Sequence, residues 1–101
     1  MTVPVFIGDE WTAAGWRLAG VRVMVPEPEA APVRAAFEDA CGASPALVLV
    51  SARFARLLDP VRLMEARRKL DPPVLVVGDA AGSDRPDDVA GAIRERMGVA
   101  R

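Results

Sequence analysis

Short apolar runs alternate with helix-patterned stretches along nearly the whole chain. Residues 3–7 (Val-Pro-Val-Phe-Ile), ending at Gly8, predict a first strand, with Pro4 near its start, where a missing N–H is tolerated. A short helix is expected over residues 10–19, closed by Gly20 in the left-handed position that helix ends favour. Residues 21–25 (Val-Arg-Val-Met-Val) predict a second strand, and Arg22 within it marks a sheet edge. The next helix covers about residues 29–41, with Pro32 in its first turn and Gly42 at its end. Its Val33, Ala36, Phe37, Ala40 and Cys41 recur at i, i+3, i+4, i+7 and i+8, which is one buried face.

Residues 46–50 (Ala-Leu-Val-Leu-Val) are apolar on both faces, the mark of an interior parallel strand. Asp59-Pro60 reads as an N-cap followed by proline at the first helical position. That helix runs to Leu70 and is stopped by Asp71-Pro72-Pro73. Residues 74–77 (Val-Leu-Val-Val) predict a fourth strand, and residues 78–85 a polar loop. Pro86 then opens a last helix to about Met97, with Val89, Ile93 and Met97 as its stripe and Gly91 inside it.

Strand–helix alternation with apolar strands implies a parallel sheet covered on both faces. Right-handed crossovers favour four strands in the order 2-1-3-4. The expected fold is therefore a small doubly wound α/β domain, receiver- or flavodoxin-like, with residues 1–101 forming one unit. The polar loop and the last helix (about 86–97) are the stretch expected to be able to move.

Composition removes many functions. Thirteen basic residues against fourteen acidic ones leave a net charge of −1, so no broad attraction to nucleic acid or an anionic membrane is expected. No apolar run approaches the roughly 20 residues that cross a bilayer. No basic segment leads into an apolar stretch at the start, so a cytoplasmic location is expected. The chain has no His, no Tyr and a single Cys, Cys41. An internal disulfide, a Cys/His zinc site and a Ser-His or Cys-His nucleophile pair are all excluded. Lys69, in Arg67-Arg68-Lys69, follows no glycine-rich loop and is no P-loop lysine. Carboxylates are the acid–base groups that remain.

Open α/β sheets bind ligands beyond the carboxyl ends of their strands, where the strand order reverses. Here that point falls at Gly8-Asp9-Glu10-Trp11 and Ser51-Ala52-Arg53-Phe54. A dinucleotide fingerprint fails, because after Gly8 the next glycines are Gly15 and Gly20, and no other cofactor signature is present. A receiver-type phosphoacceptor site could take Asp9 and Glu10 as its first acidic pair. The third strand, however, ends at Ser51, and the fourth in Gly78-Asp79 without a lysine. A carboxylate enzyme built on Asp9, Glu10 and Asp79 lacks a basic or nucleophilic partner.

Plainer roles account for most of these residues. Asp9 fits a helix N-cap. Arg67, Arg68 and Lys69 suit the negative end of a helix dipole, as Asp84, Asp87 and Asp88 suit the positive end of the last helix. Cys41 reads as a small core residue. Trp11 and Trp16 lie about 140° apart around a helix and cannot share a face. Trp16 is the core candidate, and Trp11, with Phe54 on the neighbouring loop, is left as an aromatic contact for another protein. Arg17 and Arg94 complete the candidate contact residues.

The opening Phe6-Ile7-Gly8-Asp9-Glu10-Trp11-Thr12-Ala13-Ala14-Gly15-Trp16-Arg17-Leu18-Ala19-Gly20-Val21 resembles that of the small central-stalk subunit called F in V-type and archaeal A-type ATPases. Gly8, Asp9, Thr12, Gly15, Trp16, Leu18, Ala19 and Gly20 carry the likeness. Residues 46–51, 70–77 and 93–99 are similar to the family's third strand, the approach to its fourth and its closing helix. Trp11 stands where the family has a polar residue, and Gly78-Asp79 replaces a more hydrophobic exit. The resemblance implies a non-catalytic subunit of the central rotor stalk, without cofactor or metal. Its implied partners are the coiled-coil stalk subunit called D, the A/B catalytic head and the connector to the membrane ring. In that setting the subunit is cytoplasmic and peripheral on the membrane-bound complex. It helps couple ATP hydrolysis or synthesis to proton or sodium transport. Gly15 is expected to let the first helix approach the sheet closely.

Overall fold

Side chains that alternate between two faces of four short strands organise the molecule, whose computed structural model describes residues 3–80. Strands β1 (Val5–Ile7), β2 (Arg22–Met24), β3 (Val48–Ser51) and β4 (Val74–Val77) form one all-parallel sheet in the order β2-β1-β3-β4. Phe6 pairs with Val23 on one side and Leu49 on the other, and Ser51 lies opposite Val77. The interior strands β1 and β3 are wholly buried, whereas β2 at the edge exposes Arg22. This is the doubly wound arrangement that the alternation of patterns predicts.

Helices α1 (Glu10–Leu18), α2 (Ala30–Gly42), α3 (Ala52–Ala55) and α4 (Pro60–Lys69) fill the crossovers. The larger core lies on one sheet face. There Val5, Ile7, Val48, Val50, Val74 and Val76 meet Val33, Phe37 and Ala40 of α2, Phe54 of α3, Leu58, and Ala66 of α4. On the other face Phe6, Leu49 and Val77 pack with Ala13 of α1, and Trp16 packs against them half-buried. Period-two alternation thus sends neighbouring residues of one strand into separate cores. Across the surface, Arg62 of α4 grips Glu38 of α2 through both carboxylate oxygens at 2.7 and 2.8 Å. Its guanidinium lies 5.6 Å from the Phe37 ring centre, so one side chain ties the two helices and covers the core.

Several boundaries and placements differ from expectation. Strand β1 begins at Val5, although the Pro4 carbonyl still accepts from the Arg22 N–H at 3.1 Å. Strand β3 begins at Val48, with Ala46 exposed before it. Helix α2 includes Gly42, and Ser44 at φ 51° takes the left-handed turn instead. Cys41 lies at the border of the core, half-buried. The apolar pattern holds no sign of α3, a single turn that follows β3 directly. Helix α4 matches its signals closely: Asp59 caps it, Pro60 opens it and Leu70 closes it at φ 61°. The last helix expected over about 86–97, with Val89, Ile93, Arg94 and Met97, lies outside the described residues, as does most of the loop before it.

Close backbone approach occurs at Gly8, not at Gly15. A Cβ on Gly8 would overlap the edge of the Phe6 ring and come within 3.0 Å of Ser51 Cβ, and Phe6 is fully buried and has nowhere to swing. A Cβ on Gly15 meets nothing within 4 Å, because Gly15 faces outward. Gly20, at φ 89°, is the left-handed residue that ends α1. Opposite outcomes are expected for one substitution at two sites. Gly8→Ala should lose about 1–3 kcal/mol from overpacking, and Gly15→Ala should gain up to about 1 kcal/mol of helix propensity. Urea unfolding of the two variants beside the parent measures both.

Candidate functional site

The carboxyl ends of β1, β3 and β4 meet where strand order reverses, the place that the topology reserves for a ligand. At the exit of β1, Asp9 caps α1 in an extended conformation. Its Oδ2 accepts from the Thr12 backbone N–H at 3.0 Å, and its Oδ1 from the Thr12 hydroxyl at 2.8 Å. Thr12 is buried, and its Oγ1 accepts in turn from the Ala80 N–H at 2.9 Å. The chain leaving β4 is therefore tied to the first turn of α1, across 68 residues of sequence.

A second tie links β4 to β3. Asp79 is buried, and its Oδ2 accepts from the Arg53 backbone N–H at 3.2 Å at the start of α3. The fully buried Ser51 accepts from the Phe54 N–H at 3.4 Å in the same turn. The other Asp79 oxygen, Oδ1, has no hydrogen-bond partner among the described residues. Both Asp9 oxygens are committed to Thr12, so this carboxylate acts as a structural acceptor. Among the described residues no three His, Cys, Asp or Glu side chains converge as a metal site would require.

Electrostatics agree with that role for Asp9. Burial alone pushes its carboxyl up, but the two Thr12 hydrogen bonds and the Arg53 charge outweigh it, leaving the carboxyl below its ordinary value of 3.8. A groove of about 230 Å³ lies elsewhere, between α2 and α4, lined by Glu38, Cys41, Arg62 and Lys69 among others. Burial pushes the Cys41 thiol up, which disfavours the reactive thiolate.

The residues singled out from sequence divide sharply. Gly8, Asp9 and Thr12 come together as a unit, whereas Gly15, Leu18 and Ala19 face outward. Trp16 is half-buried and stacks on Phe6 with ring centres 5.8 Å apart and planes at 24°, so it borders the core and does not fill it. Trp11 is exposed to 74%. Phe54 is not a surface contact: α3 turns it into the core, and it is 2% exposed. Arg17 pairs with Glu10 at 3.2 Å on the α1 surface. Arg94 lies outside the described residues. Sequence reasoning misses the Thr12–Ala80 and Asp79–Arg53 ties, because neither has a local pattern. Only the Ser51-x-x-Phe54 spacing hints that a capped turn follows β3.

Among the described residues no helix is long and apolar enough to cross a membrane. No protein-family model and no characterised protein sequence matches this chain.

A carboxylate held below its ordinary pKa stabilises the fold above the unfolded-state value and loses that effect as pH falls through the folded-state value. Asp9→Ala should therefore cost about 1–2 kcal/mol near pH 7. The difference from the parent should shrink as the pH drops below about 4. Urea titrations at a series of acidic pH values would reveal whether the two curves converge.

Proposed function

We propose that this chain is a central-stalk subunit of the F type in a V-type or A-type rotary ATPase. It is a non-catalytic body that binds the coiled-coil stalk subunit and helps couple the A/B head to ion transport. The observation that carries this reading is the fit between the opening sequence and its local structure. Gly8 is packed too tightly for a side chain, Asp9 and Thr12 form the cap, and Gly20 takes the left-handed stop, so each has a structural task. A sheet-and-helix body whose strand-exit carboxylates accept backbone N–H groups suits a part that transmits force through its shape. On this reading the protein sits at the cytoplasmic side of the membrane-bound complex, meets the connector to the membrane ring, and contacts neither nucleic acid nor lipid.

A second reading, a receiver-like or small-ligand-binding regulator, is favoured by one feature: Asp79 is buried at the strand exits with Oδ1 lacking a partner among the described residues. Two experiments separate the readings. Co-expression with a coiled-coil stalk subunit of a rotary ATPase should yield a stable one-to-one complex, and recovery of free chain alone would count against the stalk. Addition of magnesium and a small phosphoryl donor should leave tryptophan fluorescence unchanged, whereas a saturable response would favour the regulator.

A further inference from the structure

The described helices cover the two faces of the sheet unequally. A helix is about 10 Å wide and neighbouring strands are about 4.8 Å apart, so one helix covers roughly two strands. On the face of the larger core, α2 packs on β1, α3 on β3 and β4, and α4 on β4. On the other face α1 packs on β2 and β1. Among the described helices α1 alone contributes to that core, through Ala13 and Trp16. The β3–β4 half of this face is nonetheless apolar. Leu49 and Val77 are buried there, and Leu47 and Leu75 lie half-buried beside them. A row of leucine and valine side chains on a sheet face calls for a second helix over it.

We infer that residues 86–97 of this same chain are that cover, seated on the β3–β4 half of the face; the inference rests on neither functional reading. Connectivity selects the occupant. The chain leaves β4 already turned to this side, since the Ala80 N–H donates to Thr12 of α1 at 2.9 Å. Residues 81–85 then suffice to reverse its direction before Pro86. At helical spacing Val89, Ile93 and Met97 share one side, and Asp87, Arg94 and Glu95 take the other. The lengths agree. From Val89 to Met97 is about 12 Å of helix. From Leu47 to Ser51, the partner of Val77, is about 13 Å of strand. Running back from the strand exits, the segment sets Val89 at Val77, Ile93 at Leu75 and Met97 at Leu47. A short covalent tether also gives it an effective concentration of about millimolar, an advantage that no second copy shares. This half of the face is then internal to the chain and closed to partners.

Two measurements on the full chain test this. The first places a nitroxide on the outer side of the segment, through Arg94→Cys in a Cys41→Ser background, and reads the backbone amide resonances. Those of Leu47, Leu49 and Leu75 should broaden strongly, and those of Val33 and Phe37, beneath the opposite face, should persist. Unbroadened signals at the three leucines, or equal loss on both faces, would overturn the seat. Broadening that arises only between the labelled chain and a separate isotope-enriched copy would overturn it in favour of a second copy. The second measurement is a double-mutant cycle in urea. Leu75→Ala and Ile93→Ala should each raise the unfolding constant about tenfold. Together they should fall short of the product of the two by about threefold or more. Full additivity would overturn the pairing. Glu95→Ser, on the outer side, should unfold within about twofold of the parent. A loss there as large as that of Ile93→Ala would overturn the orientation.

Discussion

Parallel strands of three or four residues make few ladder hydrogen bonds, so the alignment of such a sheet depends on what ties the strand exits together. Here one such tie is a buried hydroxyl. Thr12 donates to Asp9 and accepts from the Ala80 N–H, joining the cap of α1 to the exit of β4. Asp79 extends the tie to α3 through the Arg53 N–H. The switch point of the fold, where other α/β proteins seat a ligand, is thereby lined by polar groups bonded to one another, save Asp79 Oδ1, which has no partner among the described residues. Buried acceptors in this position stabilise only while they are satisfied, which makes the network a determinant of geometry as much as of stability.

That arrangement moves attention from the strand ends to the outer surface. The feature of α1 that its two cores do not explain is the apolar stripe of Trp11, Ala14, Gly15 and Leu18 turned to water. A helix of this kind is ordinarily covered on both sides.

Residues close in sequence are the legible part of the site. The Asp9-x-x-Thr12 cap, the Asp59-Pro60 helix start and the period of α2 all act within one or two turns. Expectation and structure part where a residue's surroundings are supplied from far away. Phe54 reads as a loop aromatic because nothing local reveals that α3 folds it back into the core. Gly15 faces open water and not the sheet for a similar reason, because the rotation of α1 against the sheet, and not local pattern, decides which of its residues turn inward. Trp16 reaches only the border of the core because Phe6 already fills that position and offers a face to stack on.

The chain's own pattern was enough to set four parallel strands, their order and the helices between them. Periodicity and capping are local, and handed crossovers leave few alternatives. Packing in three dimensions settled which face of α1 is buried, which glycine is indispensable and how Asp79 and Thr12 are used. The Asp79 and Thr12 ties join segments 26 and 68 residues apart, and no spacing along the chain encodes them.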